Sequence, residues 1–205
     1  MLTVKGIKKS YSRRAVIDTA NVSLLPGEVL CLTGPSGIGK TTLLEIIAGI
    51  VPPDEGTVQA GGSVSLLFQD NALIPWLSAA KNVRYIFPVT LSATEAENRA
   101  ERWLSRFGLE GGIFPATMSS GMLRRLALAR TFAASCKLVL LDEPFVFLDE
   151  AWQRVVAEEI ASHASAGGSV LVVSHTTVPF GWDCFNGVIC HITQILHSPI
   201  CLGAP

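Results

Sequence analysis

Four short runs of mostly apolar residues are spaced along the chain and predict the strands of a buried sheet. Each run is four or five residues long, and its apolar residues follow one another instead of alternating with polar ones. This pattern is typical of parallel strands that are covered on both faces. The predicted strands are 29–32, 64–68, 138–141 and 170–173.

Between these runs, apolar residues recur at the spacing of amphipathic helices. In the segment 93–107, for example, Ala96, Ala100, Leu104 and Phe107 fall on one helical face. The alternation of strands and helices predicts an α/β fold. The predicted helices are 42–50, 93–107, 119–134 and 151–163.

The middle of the chain differs from its two ends, because residues 69–134 carry no strong strand pattern and are mostly helical in pattern. We interpret the chain as one domain, 1–205, whose sheet core is formed by 1–68 and 135–205 and carries the inserted helical lobe. A turn is expected at 52–56, where two prolines, two acids and a glycine interrupt the pattern.

Composition and charge narrow the classes of function. The length of 205 residues suits a single domain, and a formal net charge of −1 offers no basic surface for nucleic acid. Mean hydropathy is high at +0.42, yet no apolar run approaches the roughly 18–20 residues of a membrane-spanning helix. The first residues do not resemble a secretion signal. We therefore expect a cytosolic protein with an apolar surface for a partner.

The segment that reads G-P-S-G-I-G-K-T fits the phosphate-binding pattern GxxxxGK[ST] and lies between a predicted strand and a predicted helix, as that motif requires. Its glycines let successive backbone N–H groups point at phosphate oxygens, and the following helix adds its positive N-terminal end. We predict Mg-ATP binding, with Lys40 on the β- and γ-phosphates and the Thr41 hydroxyl on Mg²⁺. An ordinary glycine-rich turn is the alternative. The predicted ATP-binding residues of this loop are Gly34, Pro35, Ser36, Gly37, Ile38, Gly39, Lys40, Thr41 and Thr42.

Polar residues at the ends of three other predicted strands add the chemistry of hydrolysis. Asp142 and Glu143 follow one strand, and we expect Asp142 to hold Mg²⁺ and Glu143 to polarise the attacking water. His175 follows another strand and is expected near the γ-phosphate, although a lone histidine is more often structural. Gln69 ends a third strand and is predicted to touch Mg²⁺ or the attacking water.

The motifs and their order along the chain resemble those of the ATP-binding cassette (ABC) ATPases. The resemblance extends from about residue 2 to residue 175. It implies a P-loop NTPase fold with a mostly parallel sheet core, an N-terminal antiparallel β portion and an inserted helical lobe. The segment 118–122 resembles the family's LSGGQ signature. The other matching residues are Tyr11, Pro144, Leu148 and Asp149.

The resemblance also implies roles for these residues. Tyr11 would stack on the adenine ring, although a surface aromatic on a turn fits the same residue. The signature would contact the ATP held by a second, head-to-tail subunit, whereas an ordinary serine-capped helix fits its residues equally well. The residues that would lie at this interface are Ser119, Ser120, Gly121, Met122 and Asp149.

A Leu-x-Pro-Trp segment after Gln69 narrows the resemblance to importer ATPases for nitrate, sulfonates and taurine. By this resemblance the chain would couple ATP hydrolysis to solute uptake as a peripheral subunit on the cytoplasmic face of the cell membrane. Its partners would be a second ATPase subunit, an integral membrane permease and a substrate-binding protein, and not nucleic acid. The apolar cluster 74–77 would meet the permease, with a core position for Trp76 as an equal alternative.

Two features depart from the family pattern. Ser120 replaces the usual glycine, and its Cβ would crowd the approach of the backbone to phosphate, so we expect slower ATP hydrolysis than in a Ser120→Gly variant. After His175, Pro179 disfavours the helix that the family usually has. By the same comparison, we expect no regulatory C-terminal domain.

Two other functions compete with the importer interpretation. The first is a soluble ABC ATPase that acts on nucleic acid or ribosomes, but such proteins usually carry tandem cassettes or long coiled-coil insertions, and this chain shows neither. The second is a small-molecule kinase, a class that lacks the signature segment. The resemblance implies that the membrane and binding subunits, and not the ATPase, recognise the transported solute.

Overall fold

The computed structural model describes residues 1–12 and 14–175, together with the backbone of two strands at 189–194 and 200–202. The described strands are β1 (Leu2–Tyr11), β2 (Arg14–Leu24), β3 (Glu28–Thr33), β4 (Glu55–Ala60), β5 (Val64–Leu67), β6 (Leu138–Asp142), β7 (Ser169–Ser174), β8 (Ile189–Gln194) and β9 (Ile200–Leu202). The described helices are α1 (Lys40–Ile47), α2 (Ala79–Arg84), α3 (Ala93–Arg106), α4 (Ser120–Ala133) and α5 (Glu150–Ser165), with a 3₁₀ turn at Pro115–Thr117.

The core is a parallel sheet in the order β5-β6-β7-β3-β8, which confirms the α/β fold expected from the sequence. All four strand pairs are parallel. The carboxyl ends of β3, β6 and β7 lie side by side, since Thr33 pairs with Ser174 and Asp142 pairs with Val173. Polar residues that follow these strands are therefore brought to one edge of the sheet.

A second sheet contains β4, β1 and β2 in antiparallel pairing, with β9 parallel to β2. In β1 the side chains of Leu2, Val4 and Ile7 are buried, and they belong to the same apolar cluster as Leu43 and Leu44 of α1. This sheet is the N-terminal antiparallel portion that the family resemblance implied.

Residues 69–134 contain α2, α3, the 3₁₀ turn and α4, and no strand. Helix α3 begins at a capping box, in which Ser92 accepts from the Glu95 N–H and the Glu95 side chain accepts from the Ser92 N–H. Its apolar face buries Leu104 completely, and Phe107, which caps its C-terminus, is also fully buried. The amphipathic pattern at 93–107 therefore predicted both the helix and its buried face.

Several predicted boundaries are wrong by a few residues. Helix α1 begins two residues before the predicted start and ends at Ile47, because Gly49 turns the chain with φ +75°. The predicted turn at 52–56 is shorter than expected, since β4 begins at Glu55. Helix α2 was not predicted, and the expected break at Pro179 lies outside the described residues. No helix in the described part of the chain combines the length and apolar character needed to cross a membrane.

Candidate functional site

The phosphate loop connects the end of β3 to the start of α1. Gly37 and Gly39 have φ of +79° and +104°, which residues with a Cβ rarely adopt, so glycine is required by the backbone path. Ile38 between them is buried in the apolar cluster under the antiparallel sheet. The Ile38 side chain therefore anchors the loop from below, and only its backbone is available to a phosphate.

Lys40 is nearly fully buried, with 6% of its surface exposed. Its ammonium donates to the carbonyl oxygens of Gly34 at 2.7 Å and Pro35 at 2.8 Å. Burial lowers the pKa of Lys40, while the charges of Glu143 and Asp142 partly oppose that change. The structure thus places a desolvated cation inside the loop, close to two carboxylates.

Thr41 and Asp142, two of the three expected metal ligands, are in direct contact. The Thr41 hydroxyl donates to Asp142 Oδ2 at 2.7 Å, and Asp142 is 2% exposed. Burial is the main cause that raises the pKa of Asp142, and the hydrogen bond from Thr41 opposes it. A hydroxyl and a carboxylate are oxygen donors of the kind that Mg²⁺ prefers, so the residues present fit this ion.

Glu143 stands next to this pair and is held by two polar side chains from the end of β7. His175 Nδ1 lies 2.8 Å from Glu143 Oε1, and the Ser174 hydroxyl donates to Glu143 Oε2 at 3.3 Å. His175 was expected near the site, whereas a role for Ser174 was not predicted. Its signal in the sequence is weak, namely a polar residue that ends an otherwise apolar strand.

A cleft of about 340 Å³ lies over the loop, and its walls bring together residues from both sheets. Tyr11 and Val16 contribute from the antiparallel sheet, and Gln69 faces them beside Asp142 and Glu143. An adjoining hollow shares Gln69 and Asp142 with the cleft. Tyr11 is 46% exposed but lines this cleft, which favours its interpretation as a base-stacking residue over that of an unrelated surface aromatic.

The signature segment lies elsewhere on the molecule. Ser119 caps α4 by accepting from the Met122 N–H at 3.3 Å, and Ser120 is exposed in the first turn of the helix. Among the described residues that line the cleft, none belongs to this segment. Asp149 caps α5 by accepting from the Trp152 N–H at 3.0 Å. Ser119 and Asp149 therefore have local capping roles, and neither lines the cleft over the phosphate loop of its own chain.

The helical lobe exposes large apolar side chains. Trp76 is 76% exposed, so the alternative of a core position for Trp76 is wrong. Its neighbour Leu77 lines a shallow hollow together with Tyr85 and Val89, which are 70% and 101% exposed. We refer to Trp76, Leu77, Tyr85 and Val89 as the lobe patch, a surface of the kind that partners cover.

Comparison with known proteins identifies the family of this chain. The family model described as ABC transporter matches residues 17–146. The chain is 41% identical over 178 residues to the aliphatic sulfonates import ATP-binding protein SsuB 2 of Pseudomonas syringae pv. syringae, covering 84% of this chain and 62% of that protein. It is 38% identical over 181 residues to SsuB 3 of Paraburkholderia xenovorans, covering 85% of this chain and 70% of that protein.

A solved structure resembles most of this chain. It is a dimeric post-hydrolysis state of the ATP-binding cassette MJ0796 bound to ADP and Pi. The similarity has a TM-score of 0.80 at 27% sequence identity, and it covers 86% of this chain and 88% of that one.

Proposed function

We propose, from the premise that this chain belongs to the ABC transporter family, that it binds and hydrolyses ATP as the nucleotide-binding subunit of an importer. The observation that carries the proposal is the position of Glu143. Its carboxylate is held by Ser174 and His175 at the cleft that contains Lys40. A carboxylate fixed beside a phosphate-binding loop is suited to accept a proton from water that attacks a γ-phosphate.

The other residues of the cleft support this reaction by binding and orientation. Lys40 neutralises charge on the β- and γ-phosphates, and Tyr11 stacks on the adenine. When Mg²⁺ is bound it stabilises charge on the same phosphates, and the residues that would hold it are Thr41, Asp142 and Gln69. Because Glu143 is anchored at both carboxylate oxygens, it needs little reorganisation when water arrives.

The site is completed by a second subunit in this proposal. The signature residues and Asp149 lie outside the cleft of their own chain, and the exposed, positively polarised start of α4 suits a phosphate presented by a partner. The similar MJ0796 structure is a dimer with ADP and Pi, which supports the pairing of two subunits. Binding of ATP then closes two subunits, and hydrolysis reopens them.

The experiment that tests the chemistry is the substitution Glu143→Gln. We expect ATP turnover to fall by about 10²-fold or more, the range of a general base, while a fluorescent ATP analogue still binds. Glu150→Gln is the matched control, since Glu150 is an exposed acid that pairs with Arg154 on the first turn of α5. Equal turnover in Glu143→Gln and the unsubstituted protein would contradict the assignment.

We also propose that the lobe patch contacts an integral membrane permease, which would place the chain on the cytoplasmic face of the membrane. A substrate-binding protein would deliver the solute to that permease. Trp76→Ala is expected to weaken binding to the membrane subunits by about 2 kcal/mol, the cost of truncating a hot-spot tryptophan, and so to reduce co-purification. Leu25→Ala is the control, because Leu25 is an exposed apolar residue between β2 and β3. Undiminished capture of the Trp76→Ala protein refutes this contact.

A further inference from the structure

Arg124, in the second turn of α4, is a buried cation with no role in the site described above. It is 1% exposed and heads the largest fully buried side chains among the described residues. Burial lowers the pKa of Arg124 to about 10, so the guanidinium is still protonated at neutral pH. A buried charge is costly unless its donors are bonded. Both terminal nitrogens of Arg124 are bonded, whereas Nε is buried without a hydrogen-bond partner.

The guanidinium of Arg124 binds oxygens at the ends of two neighbouring strands. Nη1 donates to the Phe68 carbonyl at 2.8 Å and to Asn71 Oδ1 at 2.7 Å, just after β5. Nη2 donates to the carbonyls of Asp142 and Glu143, the latter at 2.8 Å, at the end of β6. One side chain thus connects helix α4 to two segments of the catalytic cleft.

The backbone at Glu143 is of a kind that needs such support. Its φ is +53°, in the left-handed region that residues with a side chain rarely occupy. The Glu143 N–H donates to the Val173 carbonyl at 2.9 Å, and the Glu143 carbonyl accepts from Arg124. The peptide groups are therefore held from both sides, and this fixes the direction in which the carboxylate leaves the chain.

We propose that Arg124 is a positioning residue, which keeps Gln69 and the Asp142–Glu143 pair aligned with the helix that begins at the signature segment. Gln69 follows Phe68 directly, so the bond to the Phe68 carbonyl places it. The proposal deepens the proposed ATPase function and rests on it. When the start of α4 meets the partner's ATP, a shift of the helix reaches the backbone of Glu143 through this single side chain.

The test compares Arg124→Met and Arg124→Lys in the complete protein with its membrane subunits. For Arg124→Met we expect kcat to fall by on the order of 10- to 100-fold, the effect of a misplaced catalytic group. The KM for ATP and the affinity for a fluorescent ATP analogue should stay within about twofold, because the phosphate loop is not touched. Arg124→Lys should recover part of kcat, since an ammonium still donates to carbonyl oxygens.

Arg125→Met is the matched control on the same helix. Arg125 donates to the carbonyls of Phe107 and Gly108 and stacks at 4.2 Å over Trp152, away from both strand ends. The Arg125→Met substitution should lower the melting temperature and leave kcat within about twofold of the unsubstituted protein. If Arg124→Met does not fold, Arg124→Gln and Arg124→Lys provide the comparison.

The outcomes separate the two proposals. Absence of ATP hydrolysis by the unsubstituted protein would refute the proposed function. Hydrolysis by that protein with an unchanged kcat in folded Arg124→Met refutes the positioning role alone. A raised KM at constant kcat also refutes it, because the arginine would then act on nucleotide binding.

Discussion

Removal of the Ser120 side chain should raise ATP turnover while slightly lowering stability. Ser120 is exposed in the first turn of α4 and has no left-handed φ, so its Cβ causes no strain within its own chain. The crowding that we predict is with the partner's phosphate. The substitution Ser120→Gly isolates that contact, since it removes the side chain and leaves the helix cap at Ser119 in place.

The two effects of Ser120→Gly have different sizes. Glycine in a helix is less favourable than serine by about 0.5 kcal/mol, which corresponds to a melting temperature about 1–2 °C lower for a domain of this length. Closer approach of the α4 backbone should increase kcat by about 3- to 10-fold, within the ~10²-fold range that a displacement of 1 Å produces. Steady-state phosphate release from the assembled complex measures kcat, and thermal unfolding measures the melting temperature. An unchanged kcat would refute the reasoning.

Gly121→Ala is the reference substitution at the next position, and it should lower ATP turnover, whereas Ser120→Gly should raise it. A Cβ at Gly121 would lie 2.9 Å from the Phe147 carbonyl oxygen, well inside an ordinary contact. Overpacking of this kind costs about 1–3 kcal/mol, or about 2–12 °C in melting temperature. Turnover should fall as well, because the helix start must shift. A rise in turnover with Gly121→Ala would show that steric crowding at the signature segment does not limit ATP hydrolysis.

Two further substitutions test the cleft itself. Thr41→Val removes the hydrogen bond that opposes the burial-raised pKa of Asp142, so that pKa should rise further. The acid limb of the pH profile of kcat should then move to higher pH, and a higher Mg²⁺ concentration should be needed for half-maximal turnover. An unshifted profile would argue against this role of the Thr41–Asp142 hydrogen bond. His175→Ala frees Glu143 Oε1 and should lower kcat by about 10- to 100-fold at unchanged ATP affinity, measured by equilibrium binding. Weaker binding with normal kcat would assign His175 to nucleotide affinity instead.

Most of the fold follows from local patterns in the sequence. The continuous apolar runs predicted β3, β5, β6 and β7, because strands covered on both faces contain few polar residues. Helix α3 was predicted almost to the residue, since its apolar face repeats at helical spacing. The structure adds that Ser92 caps its start. Helix α2 was missed because six residues are too few to show a period.

The sequence by itself determined which polar groups gather at this edge of the sheet. The phosphate loop, Asp142, Glu143 and His175 lie at or just beyond the carboxyl ends of strands, and parallel strands bring those ends to one edge of the sheet. Only the tertiary structure decided which of these groups touch, namely that Thr41 bonds Asp142 and that Ser174 joins His175 on Glu143.

The tertiary structure also decided which side chains are buried, because the residue type alone does not determine burial. Trp76 was compatible with a core or a surface, and the fold exposes it. Arg124 belongs to a type that is usually solvated, yet it is fully buried among oxygens from two strand ends. Both outcomes depend on contacts between segments more than 15 residues apart, such as Arg124 with Phe68 and with Glu143, which no local period along the chain records.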